Sequence, residues 1–281
     1  MIKIVILGSN GFIGSFLKEY LKEENREIIC ITRNDLDITN ELLVKKWLLK
    51  IKPNIIINCA ISLSKTGIIN ENGDVIDLNK ERNNYLIFQS FFNNSELFDK
   101  FINIGSGAEF DKALNIENVL EEEILNRYPK DSYGYSKNII SRLSLNKSNF
   151  YTLRLFSVYH YTEPPFRLFK NLINCANSQQ NFIVLDRWQD FISIQDFGKI
   201  VEYYIDNSKL TKDINCVYSE KVKISYLVDK FCELKGISKD ILIIKESSLN
   251  YTANGDKLKE LNLKLDGHHL GLQEYINHIN K

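Results

Sequence analysis

The sequence predicts an α/β fold: a doubly wound parallel sheet with helices on both faces, followed by a smaller C-terminal lobe. Strands and helices alternate through Tyr159, and the strand segments are apolar runs too continuous for a half-exposed sheet. A glycine-rich turn joins the first strand to the first helix. With 281 residues and 44% apolar content, the chain can bury a full core as one large domain or two unequal lobes. The regular alternation sets the expected boundary, with a first domain over 1–163 and a less regular second one over 164–281 that remains interwoven with it.

"IKIVILG" (2–8) reads as a buried strand, and "SFLKEYLKEE" after it has helical periodicity through Phe16, Leu17, Tyr20 and Leu21. "EIICITR" is the second strand, "NELLVKKWLLKIK" an amphipathic helix and "PNIIINCA" a third buried strand. After the loop "ISLSKTGIINENGD" (61–74) come a helix through "NNYLIFQSFFNN" and the strand "KFINIGS". "YTLRLFSVY" supplies one further strand, and "PFRLFKNLINCANS" with the segments after Lys209 is assigned to the smaller lobe.

Composition removes several functions. Acidic and basic residues balance at 36 each, so no global positive field exists to hold nucleic acid or an anionic membrane. Cys30, Cys59, Cys175, Cys216 and Cys232 are odd in number and form no CxxC pair, which argues for buried thiols in a reducing cytosol rather than disulfides or a zinc site. No metal is expected. The N-terminus lacks the charged start, long apolar core and cleavage site of a signal peptide, and no apolar run approaches a membrane span.

The turn "GSNGFIG" places Gly8, Gly11 and Gly14 in a GxxGxxG spacing between a strand and a helix. Glycines there permit positive φ and close approach of backbone to a pyrophosphate, while the helix N-terminus offers N–H groups and a positive dipole end. This context points to a Rossmann-type dinucleotide site with Gly8, Ser9, Asn10, Gly11, Phe12, Ile13 and Gly14 at the phosphates and Ala60 at the end of the third strand. An acidic residue at the end of the second strand would bind ribose hydroxyls, whereas an arginine pairs with a 2′-phosphate. "CITRND" puts Arg33 about twenty residues beyond the glycines, which favours NADPH with NAD as the alternative. Asp35 or Asp37 would supply the acid if the strand ran longer. Asp37 and Ile38 are expected beside the adenine.

"DSYGYSK" (131–137) raises a second question, because it holds two tyrosines near one lysine. On a helix, residues four apart share a face and residues two apart do not, so Tyr133 meets Lys137 and Tyr135 does not. An ammonium beside a phenol favours the phenolate, lowering the tyrosine pKa towards the range of a useful acid. "YLVDK" (226–230) has the same spacing, but Tyr226, Leu227 and Phe231 read as core packing. Tyr133 instead follows a strand ending in "NIGSGAEF", which sets Ser106 at the C-terminal edge of the sheet.

In combination and in this order, "GSNGFIG", "GSGAEF", "YGYSK" and "DFISIQD" resemble the extended short-chain dehydrogenases/reductases that act on nucleotide sugars, over nearly the whole chain. The resemblance implies a catalytic Ser106, Tyr133 and Lys137. The serine binds a substrate oxygen, the tyrosine donates a proton to a ketone as hydride arrives, and the lysine binds the nicotinamide ribose. It also implies a substrate-binding C-terminal lobe, a nucleotide-diphosphate sugar as partner and a place in surface polysaccharide precursor synthesis, and it is compatible with a homodimer.

Departures narrow the reaction. Dehydratases of this family carry an acidic pair directly after the catalytic hydroxyl residue, where this chain has Gly107 and Ala108, with Glu109 one step late. Epimerising reductases place a cysteine at the position of Ala108 and a histidine in the loop beyond "VYG"; here that loop reads "VYHYTEPPFRLF", and His160 replaces the glycine. His160 and the doublet His268–His269 are read as loop and surface residues. Arg187 in "VLDRWQDF", with Arg167 and Lys170 as alternatives, is the candidate for the substrate diphosphate, although it lies three residues before the aspartate rather than beside it. The expectation is an NADPH-dependent 4-ketoreductase of a nucleotide-activated sugar. The alternatives are an NAD-dependent 4-epimerase and a non-catalytic dinucleotide sensor.

Overall fold

The computed structural model describes residues 1–61, 68–69, 75–76 and 78–280. Most of the loop read at 61–74 therefore lies outside the described residues. Six strands form one parallel sheet: β1 (Ile2–Leu7), β2 (Arg26–Ile31), β3 (Ile55–Asn58), β4 (Lys100–Ser106), β5 (Phe150–Leu155) and β6 (Asp213–Cys216), in the order β2-β1-β3-β4-β5-β6. In register, Leu7 lies beside Ile31 on one side and Asn58 on the other, and Asn58 lies beside Asn103. The chain leaves β1 for β2 on one side and returns to β3 on the other, so the topological switch point falls between the ends of β1 and β3.

Helices α1 (Phe12–Tyr20), α2 (Glu41–Ile51), α3 (Leu78–Phe92) and α4 (Ser132–Ser144) alternate with these strands. The Asn40 side chain caps α2 by accepting from the Leu43 amide, and Asp131 caps α4 by accepting from the Gly134 amide at 2.8 Å. On one face of the sheet, Val5, Leu7, Ile56, Phe101 and Phe150 pack under Val44, Leu48, Phe88, Phe91 and Ile140 of the helices. The Phe101 and Phe150 rings stack across β4 and β5 at 4.7 Å. Such burial at alternate positions is what the continuous apolar strands require, with the intervening residues serving the opposite face.

The chain divides into two compact units, the first comprising 1–113, 121–154 and 202–214, the second 114–120, 155–201 and 215–281. β6 is a strand that the sequence analysis does not name: "DINC" is short, and its strand character comes from its place at the edge of the sheet. "YTLRLFSVY" breaks after Leu155 and resumes as the short strand Val158–Tyr159, paired with Ile192–Ser193. The "DFISIQD" segment is that short strand running directly into the helix Ile194–Asp206. The second unit has its own core, in which Phe169, Phe231 and Tyr275 meet as stacked and edge-on rings.

Two expectations are corrected here. Tyr226 is not core: it is 45% exposed, with the Lys230 ammonium over its ring, while Leu227 and Phe231 are buried. His268 is not a surface residue. It is buried within the second unit, its ring 4.7 Å from that of Tyr218, and burial depresses its pKa to about 4. His269 is exposed.

Candidate active site

The glycine loop lies at the switch point. Gly8 has φ +74°, and a Cβ there would sit 2.7 Å from the Ala60 Cα, so the ends of β1 and β3 touch through a residue without a side chain. Gly14, in the first turn of α1, would place a Cβ 2.3 Å from the Gly8 carbonyl oxygen. Gly11 needs no positive φ; it caps α1 with no side-chain hydrogen bond, and its amide donates to the Gly8 carbonyl at 2.9 Å. Ser9 is buried, Asn10 exposed, and Phe12 and Ile13 half-buried. This tight turn, running into a helix that no side chain caps, is the cradle a pyrophosphate needs.

β2 ends at Ile31. Beyond it the Asp35 carboxylate accepts from the Thr32 amide and hydroxyl at 2.8 and 2.6 Å, bonds that hold its pKa below the ordinary value. Asp37 likewise accepts from the Thr39 amide and hydroxyl. Arg33 is exposed, and among the described residues it has no hydrogen-bond or ion-pair partner. Ile38 is half-buried against the core that includes Ile31 and Val44.

Ser106 ends β4 and starts a short 3-10 turn over Gly107–Phe110. Its hydroxyl accepts from the Ala108 amide at 3.2 Å, and the Glu109 carboxylate accepts from the Ser106 amide at 2.8 Å, which makes a reciprocal capping box. α4 packs directly onto this turn. A Cβ at Gly134 would lie 2.6 Å from the Ala108 carbonyl oxygen, so Tyr133 is brought to the turn by a glycine that allows the approach. Asn138 donates to the Glu109 carbonyl at 2.8 Å, and the Ser141 hydroxyl to the Glu109 carboxylate at 2.8 Å. Gly134, Lys137, Asn138 and Ser141 thus form one helical face docked on the Ser106 segment.

Lys137 is buried and donates to the Ile104 carbonyl at 2.7 Å. Burial lowers its pKa, opposed by the nearby Glu109 carboxylate and the Cys59 thiol; burial in turn pushes that thiol up to about 12. Tyr133 is half-buried one turn before Lys137, and Tyr135 is 44% exposed. The first unit therefore collects the glycine loop, Ala60, Ser106, Tyr133 and Lys137 at the C-terminal end of its sheet.

Arg187 belongs to the second unit, just beyond the strand Phe182–Asp186. It donates to the Gln189 side chain at 2.8 Å and to the Leu249 carbonyl at 3.4 Å, over the Tyr251 ring. Asp190 is buried and accepts from the Lys221 ammonium and the Ala253 amide. His160 is buried too, 2.7 Å from the Thr162 hydroxyl, and its burial lowers its pKa to about 4. Among the described residues, no cluster of His, Cys, Asp and Glu could hold a metal ion, and no helix is long and apolar enough to cross a membrane.

The family described as NAD dependent epimerase/dehydratase matches residues 4–216, three quarters of the chain. The chain belongs to that family. Among solved structures it is similar to a dTDP-4-dehydrorhamnose reductase from Clostridium acetobutylicum, at 20% identity over 100% of both chains with a TM-score of 0.80. A dTDP-glucose 4,6-dehydratase from Bacillus anthracis in complex with NAD is 14% identical, covering 100% of this chain and 97% of that one, also with a TM-score of 0.80. A GDP-mannoheptose C4 reductase from Campylobacter jejuni with NADP bound is 19% identical over 100% and 98%, with a TM-score of 0.77. A dTDP-4-keto-6-deoxy-D-glucose reductase from Streptomyces niveus is 38% identical over 56 residues, 20% of this chain and 19% of that protein's length. The structural likenesses establish a shared fold, one that carries reduction and dehydration alike.

Three further residues meet at the Ser106 turn with no motif to announce them: Glu109, as an anchor, accepts from Ser106, from Ser141 and from Arg154. A signal existed. Arg154 interrupts the apolar strand "YTLRLF", and a guanidinium in a buried strand demands a buried carboxylate.

Proposed function

We propose that the protein reduces the ketone of a nucleotide-activated 4-keto sugar with NADPH, as a cytosolic enzyme of surface polysaccharide precursor synthesis. The observation that carries this reading is the docking of the Tyr133–Lys137 turn of α4 on the Ser106 segment. The residues fit the cofactor. Gly8 and Gly14 leave the room that a side chain would fill, the N-terminus of α1 would take the phosphates, and the exposed Arg33, two residues beyond the end of β2, would pair with a 2′-phosphate. Asp37 and Ile38 would flank the adenine. When bound, the nicotinamide supplies the hydride.

Tyr133 donates a proton to the ketone oxygen, and Ser106 donates a hydrogen bond to the same oxygen. Lys137 carries three N–H donors, of which one is used by the Ile104 carbonyl; the others hold the ribose and favour ionisation of the phenol. Arg187, tied down by Gln189 within the second unit, is the residue we assign to the substrate diphosphate. The pure reductase reading over an NAD-dependent 4-epimerase is supported by β2 ending at Ile31, by Thr32 engaging Asp35 and by the exposure of Arg33. A dinucleotide sensor needs neither Tyr133 nor Lys137.

The test is a screen of dTDP-, GDP- and UDP-linked 4-keto sugars for oxidation of NADPH, repeated with Tyr133→Phe. We expect turnover with at least one of them and a loss of about a hundredfold or more in the variant, with NADPH binding retained. Near-normal turnover of Tyr133→Phe would refute the assignment.

A further inference from the structure

We propose that Glu109 is a positioning residue whose buried carboxylate locks the Ser106 turn, α4 and β5 into one corner and thereby sets the reacting geometry of Ser106 and Tyr133. The inference rests on the function proposed above. Glu109 is fully buried, and its two oxygens receive three donors from three elements: the Ser106 amide at 2.8 Å, the Ser141 hydroxyl at 2.8 Å and the Arg154 Nε at 2.7 Å. Its own carbonyl accepts from Asn138, one residue beyond Lys137. Room has been made for the carboxylate, since a Cβ at Gly105 would lie 2.8 Å from its Oε1 and 2.7 Å from the Thr152 methyl. Arg154 is itself fully buried between Glu109 and Asp213, with its guanidinium over the Phe110 ring at 4.9 Å.

Stability alone is a weak reason to keep such a pair. Desolvation of two charges consumes most of their attraction, and apolar side chains of similar volume do as well or better. What apolar side chains cannot do is fix direction. Three charge-assisted bonds to one carboxylate define the orientation of the serine turn relative to the helix that carries Tyr133. The carboxylate also faces the buried Lys137 and favours its ammonium form.

The experiment is a double-mutant cycle on the intact protein, with the 4-keto sugar nucleotide found to be turned over fastest, NADPH, and rates normalised to folded protein. Glu109→Gln keeps the shape and removes the charge, and we expect kcat to fall about 10- to 100-fold, the range for misplaced groups, with the KM for NADPH nearly unchanged. In the Ser106→Ala/Tyr133→Phe background the same change should cost less than about twofold, because both groups it positions are gone. An equal loss in both backgrounds, or one confined to cofactor affinity, overturns the proposal. Loss of turnover in Tyr133→Phe is read separately, and its absence sinks the functional reading instead.

Ser141→Ala, which cuts only the tie between the Glu109 carboxylate and α4 and leaves the Asn138 bond to the Glu109 carbonyl, covers the case in which Glu109→Gln fails to fold. Hydrogen exchange on its ligand-free form needs no substrate: amides of residues 106–110 should exchange faster while those of 8–14 keep their rate. Unchanged exchange over 106–110 overturns the proposal.

Discussion

At the C-terminal edge of the sheet the glycine loop is held by backbone, whereas the Ser106 corner is held by side chains. In the loop, Gly8, Gly11 and Gly14 pack against main-chain atoms, the shortest approaches being to the Gly8 carbonyl and Ala60 Cα. In the corner, Glu109, Asn138, Ser141 and Arg154 reach across three elements and satisfy one another inside the protein. On the function proposed above, the difference follows from the ligands each must serve. A pyrophosphate is held by N–H groups and a helix dipole, so the absence of side chains is the functional requirement. A proton donor must be aimed, which takes a rigid polar frame around it.

The largest test of this contrast is Arg154→Ala. It leaves the Glu109 carboxylate buried without its cation, and removing one partner of a buried pair costs about 3 to 5 kcal/mol. Urea unfolding should show a loss of that size. A loss under about 1 kcal/mol would mean that the corner is not held by this network.

Arg33→Ala probes the loop side, where the expected effect is smaller because the group is exposed. NADPH binding should weaken by about 1.5 to 3 kcal/mol, the worth of charge-assisted hydrogen bonds, while NADH binding stays nearly the same. Equal losses for both cofactors would remove the arginine from the 2′-phosphate.

The second unit supplies the converse of the satisfied corner. Among the described residues the buried His268 Nδ1 has no hydrogen-bond partner, and burial holds the ring's pKa near 4 against an ordinary 6.5. Because the folded value is the lower one, the unfolded chain takes up a proton first as pH falls below 6.5, and stability is lost between there and about pH 4. At pH 5 this amounts to about 1 to 2 kcal/mol. His268→Gln should shrink the loss of urea-unfolding free energy between pH 7.5 and 5 by that amount, and an unchanged loss would place the acid sensitivity elsewhere.

The same contrast explains what was legible in the sequence. Gly8, Gly11 and Gly14 sit close together in the chain, so their spacing and context state the loop outright, as four-residue spacing states the Tyr133–Lys137 pair. Glu109, Ser141 and Arg154 come from three separate segments, and only the folded sheet brings them together; Arg154 within an apolar strand was the one local sign. β6 escaped because a four-residue strand carries too little periodicity to register, its place being decided by β5 beside it. His268 and Tyr226 were misplaced for a related reason: neighbours from distant segments decide which side of a helix is covered.

The central claim, that the corner performs one ketone reduction and no chemistry at the neighbouring carbons, is tested most directly in deuterium oxide with ordinary NADPH. Proton exchange beside a carbonyl needs an acid or base within reach of a carbon-bound hydrogen. Ala108 cannot be one, and the Glu109 carboxylate is buried and engaged by Ser106, Ser141 and Arg154. NMR and mass spectrometry of the product should show hydrogen from NADPH at the former ketone carbon. After correction for spontaneous exchange, the flanking carbons should carry no enzyme-dependent deuterium. Catalysed incorporation at either flanking carbon would contradict the account and identify the protein as an epimerising enzyme.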